Sequence, residues 1–212
     1  MITGIDISGN NGHFKTDKDA FRKVRLAGHS FVYIKATEGQ GYTFARYPQW
    51  RDLARTSKLL VGAYHFAQPG TETDDAKREA AHFAKSINLH RGDSCLPPAL
   101  DFEVNKANLT TPQLVTWGID FLREFELRTG HVALFYTYTS FWKYTLKKTT
   151  AFDKSLLWQA QYTSGLAPAS LGRPWTFWQH TNALAIAGLA GRYDGNRFNG
   201  TLGQLQDLEA SA

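Results

Sequence analysis

The sequence contains very little sulfur, with one cysteine and one methionine among 212 residues. A single cysteine, Cys95, excludes an internal disulfide and a thiolate metal cluster, and no histidine and asparagine pattern marks it as a nucleophile. No apolar run reaches the length that spans a bilayer, so no membrane insertion is expected. Because Met1-Ile2-Thr3 leads directly into a predicted strand, we expect no signal peptide. The chain is therefore expected to be made in a cytoplasm, or to be a mature form whose leader has been removed.

Long runs of one charge sign are also missing. The 24 Lys and Arg residues exceed the 19 Asp and Glu residues, which gives a net charge of +5. These basic residues are scattered, and Lys147-Lys148 is among the few adjacent pairs. The distribution argues against a dedicated nucleic-acid surface. It suits approach to a polyanion such as a bacterial wall, and an ordinary solvated surface explains it equally well.

Strand-like apolar segments alternate with helical patterns, which predicts parallel strands joined by crossover helices. The predicted strands of this part are 4–8, 31–37, 59–67, 100–104 and 132–138. The predicted helices are 16–27, 49–57, a segment from 73 to 87, 110–130 and 141–147. Beyond residue 150, strands at 155–162, 174–181 and 192–194 are separated only by loops, and a small helix at 202–208 follows. The predicted fold class is α/β: one irregular TIM-like β/α barrel of about five β/α units with a β-rich closing section, in a single domain over residues 1–212.

The most informative motif is Asp101-Phe102-Glu103. Residues i and i+2 of a strand project to the same face with Cα atoms about 6.5 Å apart, whereas Leu100, Phe102 and Val104 occupy the opposite face. Like charges that close cannot both ionise cheaply, so one pKa is raised and the other is held down. A proton donor beside an anion is what cleavage of a glycosidic bond needs.

The predicted barrel brings other polar and aromatic side chains to the same end, because active sites of β/α barrels lie at the C-terminal ends of the strands. Buried polar groups there need partners, and a polyhydroxylated ligand supplies them. The carboxylates at these ends are Asp6, Asp101, Glu103 and Asp194. The candidates for substrate binding are Tyr64, Tyr136, Trp158, Gln161, Gln179, Lys35 and Glu38, the last two of which could instead form only an internal ion pair. His65 and His180 are predicted to be satisfied by protein contacts rather than to bind a metal.

Eight short segments carry a family resemblance from the first strand to about Phe198. They are 4–8 (GIDIS), 34–39 (IKATEG), 62–66 (GAYHF), 100–103 (LDFE), 135–137 (FYT), 157–160 (LWQA), 178–181 (WQHT) and 194–196 (DGN). In this order they closely resemble the Chalaropsis-type lysozymes, glycoside hydrolase family 25. The resemblance implies an N-acetylmuramidase that cuts the β-1,4 bond between N-acetylmuramic acid and N-acetylglucosamine in peptidoglycan. It also implies the irregular barrel reached from the strand pattern.

The resemblance further implies roles for the four carboxylates. Glu103 matches the general acid, Asp101 its paired carboxylate, and Asp6 and Asp194 the two flanking aspartates, with no metal or organic cofactor. Net retention is expected. Asp101 either attacks the anomeric carbon or orients the substrate acetamido oxygen, which then attacks to give an oxazolinium; the resemblance and the N-acetylated substrate favour the second. Many relatives carry additional wall-binding modules, and none is expected in this chain.

Three alternatives stay open at this stage. They are a chitinase-like hydrolase of N-acetylglucosamine polymers, a catalytically silent barrel that only binds glycans, and a metal-dependent hydrolase that uses the aspartates. The expected partner is peptidoglycan, and the protein is expected to be a monomer. The sequence leaves open a viral lysis enzyme, released at host lysis, or a bacterial autolysin; the expected absence of a leader favours the first.

Overall fold

The strands form one sheet that closes on itself into a barrel of eight strands. A computed structural model describes residues 1–211. Around the barrel the order is β1-β9-β8-β7-β6-β5-β4-β2, and β2 pairs back with β1. The strands are β1 (Ile2–Ile7), β2 (Phe31–Glu38), β3 (Tyr42–Thr43), β4 (Leu60–Phe66), β5 (Ala99–Asp101), β6 (Leu134–Tyr138), β7 (Leu157–Ala160), β8 (Phe177–Ile186) and β9 (Leu189–Phe198). The short β3 pairs only with the end of β2, outside the barrel. The predicted irregular β/α barrel is confirmed.

Seven of the barrel strands are parallel, and β9 runs antiparallel to both of its neighbours. It forms a hairpin with β8 through Gly188, whose φ of 79° lies in the left-handed region that favours glycine. The predicted strand at 192–194 is therefore too short, since β9 spans ten residues. Residues 190–192 are all exposed between the buried Leu189 and Tyr193, so this part of the strand lacks the alternation that predicts a strand. The long β9 carries Asp194 to the barrel mouth from mid-strand.

The helices cover the outside of the barrel. They are α1 (His13–Thr16), α2 (Ala20–Leu26), α3 (Tyr47–Thr56), α4 (Asp75–Ile87), α5 (Thr111–Thr129) and α6 (Leu202–Ser211), with a π-helical turn at Phe141–Thr145. The helix predicted at 16–27 is wrong at its start. Asp17 is extended (φ −97°, ψ 105°), and its Oδ1 accepts the Asp19 amide at 2.9 Å. This local turn separates α1 from α2. In the part of the chain that the structure describes, no helix combines the length and apolar character needed to cross a membrane.

Alternation along the strands divides the buried residues into two layers. Val32 and Ile34 pack outward against the helices, whereas Phe31 and Tyr33 join Phe177 inside the barrel. The Tyr33 ring crosses Gly62 so closely that a Cβ there would lie 2.2 Å from the ring. These inner aromatic rings fill the barrel below its mouth, so the polar site above rests on a packed floor.

Strand β5 is shorter than the sequence pattern predicts. It ends at Asp101, and only the Phe102 amide continues the ladder, donating to Tyr136 O at 3.0 Å. The alternation survives this early end, because Leu100 and Phe102 are fully buried in the outer layer. Glu103 is therefore in the loop just beyond the strand, where it is partly exposed.

Candidate active site

Four carboxylates converge at the mouth of the barrel. Asp6 comes from β1, Asp101 ends β5, Glu103 follows it, and Asp194 lies directly opposite Asp6 in the antiparallel β1–β9 pair. Side chains of directly opposed residues share one face of a sheet. Tyr64 on β4 senses all four carboxylates: burial raises its pKa, and the charges of the four carboxylates add to the shift.

The electrostatics of the group follow from burial and like charge. Burial raises the pKa of Asp6 and Asp101 well above the ordinary value, and neighbouring carboxylates add to both shifts. Burial raises the pKa of Asp194 to about 6. Burial also raises the pKa of Glu103; the Tyr136 hydroxyl opposes this shift, and the charge of Asp194 adds to it. The raised pKa of Glu103 favours its protonated form, which an acid catalyst requires.

Two amide groups fix the position of Asp6. Gln179 Nε2 and Asn196 Nδ2 both donate to Asp6 Oδ2, at 2.9 and 2.7 Å. Gln179 and Asn196 face each other across the β8–β9 pair. Asn196 Oδ1 in turn accepts the Trp158 indole N–H at 2.8 Å. The fully buried Asn196 thus joins a strand of the floor to a carboxylate of the site.

Two phenols determine which way the Gln179 amide points. The hydroxyls of Tyr136 and Tyr162 donate to Gln179 Oε1 at 3.1 and 3.0 Å. With its oxygen occupied in this way, the amide presents its nitrogen to Asp6. The network supplies Asp6 with donors on one oxygen and opposes the effect of burial on its pKa.

Asp101 differs from Asp6 in its hydrogen bonding. Its Oδ1 is buried and has no hydrogen-bond partner among the described residues. An unpaired buried acceptor costs roughly 1–3 kcal/mol.

Glu103 opens into a cleft of about 520 Å³ beside the mouth. The cleft is lined by Glu103, Tyr136, Tyr138, Thr139, Ser140, Lys143, Tyr144, Ala160, Gln161 and Tyr162. A larger cavity of about 630 Å³ lies beside the start of β4 and α6, near Cys95, and contains none of the predicted site residues. The cleft is the more relevant of the two, because the predicted site residues Glu103, Tyr136 and Gln161 line it.

The predicted substrate-binding residues do not all lie in the cleft. Trp158 is 2% exposed and lies below the mouth, its ring centroid 4.5 Å from that of Tyr33, so it supports the site from beneath. Gln161 lines the cleft. Lys35 and Glu38 form an ion pair of 2.5 Å, and the charge of Lys35 lowers the pKa of Asp101 and Glu103 against the effect of burial.

His65 is a buried structural residue, as predicted. Its Nε2 lies 2.7 Å from Glu79 Oε2, and its Nδ1 lies 2.8 Å from Thr37 Oγ1. Burial lowers the pKa of His65 to about 3 and raises that of Glu79 to about 8, so the pair is neutral at pH 7. His180 is half-buried with its ring 5.5 Å from that of Trp178.

Two residues of the hydrogen-bond network around Asp6, Asn196 and Tyr162, are not among the site residues predicted from the sequence. Asn196 stands two residues after Asp194 in an extended strand, a spacing that places both on one face. Tyr162 directly follows Gln161 past the end of β7. The strand spacing offered a signal for Asn196, whereas the contact of Tyr162 with Gln179 depends on loop geometry.

Replacing Asn196 with Ala is expected to destabilise the fold. The change leaves the Trp158 indole N–H without its acceptor and removes one donor from Asp6, which should cost about 1–3 kcal/mol. Urea unfolding followed by tryptophan fluorescence measures this loss. Asn199→Ala is the matched control, because it removes an exposed hydrogen bond to Trp175 O. Equal stability of the two variants would show that the buried network does not hold the site.

Comparison with known proteins agrees with this geometry. The chain is 33% identical over 215 residues to Lysozyme M1 of Streptomyces globisporus, covering 98% of this chain and 71% of that protein. It is 32% identical over 221 residues to the N,O-diacetylmuramidase of a Chalaropsis species, covering 98% of both. The crystal structure of the bacterial lysozyme from Streptomyces coelicolor superimposes with a TM-score of 0.87 at 32% identity, covering 99% of this chain and 97% of that one.

A closed β/α barrel whose mouth holds a protonatable carboxyl group among further carboxylates is the arrangement of a glycoside hydrolase. The chain belongs to glycosyl hydrolases family 25, whose family model matches residues 5–189. The resemblance drawn from the eight sequence segments is thereby confirmed.

Proposed function

We propose that this protein is a muramidase that hydrolyses the β-1,4 bond between N-acetylmuramic acid and N-acetylglucosamine in peptidoglycan, with Glu103 as general acid and Asp101 as its partner. The observation that carries the proposal is the pairing of a partly exposed Glu103 of raised pKa with a buried Asp101 that lacks a hydrogen-bond donor. Relatives named lysozyme and muramidase support the wall as substrate.

The reaction begins with proton transfer. Glu103, protonated and open to the cleft, donates its proton to the departing glycosidic oxygen. Asp101 accepts the N–H of the substrate acetamido group, which favours the anionic form of Asp101 and aims the acetamido oxygen at the anomeric carbon. The oxygen attacks as the glycosidic bond breaks, and an oxazolinium forms beside the Asp101 carboxylate. Water then opens this intermediate, with Glu103 accepting a proton.

The remaining residues hold the sugar and the charges in place. Tyr64, Tyr136, Gln161 and Gln179 contact the glycan, with Trp158 beneath them. Asp6 is held in place by the amides of Gln179 and Asn196. Lys35 and Glu38 shape the rim through their ion pair. Asp194 keeps Glu103 protonated through its negative charge.

Replacing Asp194 with Asn is expected to shift the pH profile of hydrolysis to lower pH on its alkaline side. The charge of Asp194 raises the pKa of Glu103. Without that charge Glu103 loses its proton at a lower pH, and activity falls earlier as pH rises. Initial rates on purified wall across pH 4–9 measure the shift, with the exposed Asp207→Asn as control. An alkaline limb that stays in place would remove Asp194 from this role.

Hydrolysis is expected to survive excess EDTA without loss. Among residues 1–211, no three Asp, Glu, His or Cys side chains are grouped so that they could hold a metal ion. Proton donation by Glu103 and assistance by Asp101 also need no metal-bound water. Turbidity assays before and after chelation measure this. Loss of activity that Mg²⁺ or Zn²⁺ restores would favour the metal-dependent alternative.

Comparison of purified wall with chitin oligomers tests the proposed function. New reducing ends should appear from the wall glycan and not from chitin oligomers under the same conditions. Release from chitin at a similar rate would favour the chitinase-like alternative. Binding to the wall without any new reducing ends would favour a silent glycan-binding barrel.

A further inference from the structure

The lining of the cleft that contains Glu103 also contains a lysine, Lys143. Lys143 is exposed, and within residues 1–211 no carboxylate oxygen lies within 4.0 Å of its ammonium group. The ammonium lies 5.0 Å from the centroid of the Tyr144 ring, which is 62% exposed. Lys143 is thus a free cation at the edge of a cavity that begins at the proposed acid.

The backbone holds this lysine at a defined place. The Leu146 amide donates to Phe141 O at 3.0 Å and closes the π-helical turn, while Phe141 and Leu146 are both buried. Thr111 Oγ1 donates to Thr145 O at 2.8 Å and ties the turn to α5. Such turns are rare, and many of them occur at functional sites. With both ends anchored, the turn presents Lys143 and Tyr144 to the cleft.

The lining of the cleft contains one acidic and one basic side chain. Glu103 and Lys143 are the only ionisable acid and base in its lining, apart from tyrosines. In the proposed mechanism Glu103 carries a proton before reaction, so the cleft then presents one positive charge. The rings of Tyr138 and Tyr144 belong to the same lining.

We infer that Lys143, packed on Tyr144, binds a carboxylate carried by muramic acid, and so favours wall glycan over uncharged N-acetylglucosamine polymers. This inference rests on the proposed function and adds its specificity. The carboxylate belongs either to the lactyl group of muramic acid or to the peptide attached to it. Polymers of N-acetylglucosamine carry neither group, so Lys143 would gain nothing from them.

Glycan binding by variants tests this inference without cleavage. The binding of soluble wall glycans is measured by calorimetry on protein that carries Glu103→Gln and cannot cleave them. Three double variants add Lys143→Gln, Lys143→Arg or Lys154→Gln to this background. Lys154→Gln is the control, because Lys154 is exposed and lies outside the cleft. We expect Lys143→Gln to raise Kd roughly fivefold at low salt, since a screened ion pair contributes modestly. Lys143→Arg should restore most of the affinity, and Lys154→Gln should change nothing.

The substrate chemistry identifies the source of the carboxylate. Peptide-bearing strands present peptide carboxylates, strands stripped by an amidase present a free lactyl carboxylate, and coupling to methylamine neutralises both. The inference is supported if Lys143→Gln raises the Kd for one of the two charged glycans and no longer does so after the carboxylates are coupled to methylamine. The glycan that shows the effect identifies the carboxylate that is bound. An unchanged Kd on both charged strands, or an equal loss on coupled strands, overturns it. Cleavage of the same glycans by the wild-type protein is measured in parallel. If the wild type cleaves none of them, the proposed function is wrong. The Kd values of the Lys143 variants still decide whether Lys143 binds a carboxylate.

Discussion

Glu103→Gln should lower the rate of wall hydrolysis by roughly 10²–10⁴-fold, the usual contribution of a general acid. Glutamine keeps the shape of the side chain and removes the transferable proton. Among the four carboxylates, Glu103 lines the cleft directly and combines partial exposure with a raised pKa. Initial rates of turbidity loss on purified wall measure the effect.

The control for this variant is Glu126→Gln, which makes the same change at an exposed position on α5. It should retain wild-type activity. Both variants should unfold in urea as cooperatively as the wild type, which separates loss of chemistry from loss of fold. Activity of Glu103→Gln above roughly a tenth of wild type would remove it from the role of acid, because general acids contribute more than this.

Asp101→Asn should be impaired by roughly 10²-fold or more, the scale seen when a preorganised electrostatic group is removed. The amide offers no anion to stabilise the developing oxazolinium. Its NH₂ group would also meet the N–H of the substrate acetamido group at the position where Asp101 Oδ1 now lacks a donor. The ratio of kcat to KM on soluble wall glycan measures the loss. Nearly full activity would mean that Asp101 neither assists nor attacks.

The anomeric configuration of the first product also tests the role of Asp101. Carboxylates two residues apart leave little room for the water of an inverting enzyme, whose carboxyl groups sit about 6.5–9.5 Å apart. We therefore expect net retention, with the β-anomer appearing first in proton NMR during early turnover. No glycosyl ester should accumulate on Asp101. An initial α-anomer would mean inversion, and a trapped sugar on Asp101 would transfer the nucleophile's role from substrate to protein.

The barrel and its principal acid pair could be predicted because both depend on local periodicity. The alternation of strand-like and helical segments along the chain predicted the parallel strands. The i, i+2 spacing of Asp101 and Glu103 placed both toward the mouth even though β5 ends between them. The length of β9 could not be predicted, because three successive exposed residues, 190–192, interrupt the alternation in that strand. The break at Asp17 depends on one side-chain hydrogen bond.

The hydrogen bonds around Asp6 could be predicted only in part from the sequence. Gln179 was expected at the mouth from its place at a strand end. Its orientation depends on Tyr162, and its neighbour Asn196 depends on the register of an antiparallel pair. The β8–β9 pairing shifts register at three places between Gln179 and Ile186, and the residue pattern alone does not specify such shifts. These contacts depend on how the strands and loops are arranged in three dimensions, which the residue pattern does not specify.

The identity of the sugar left at the new reducing end tests the central claim most directly. Purified wall is digested with the protein, the fragments are reduced with borohydride, and their masses and amino sugars are determined. The proposed muramidase predicts that the reduced sugar is muramic acid in every fragment released. Reduced glucosamine at the new ends, or free peptides without any new reducing ends, would contradict the account.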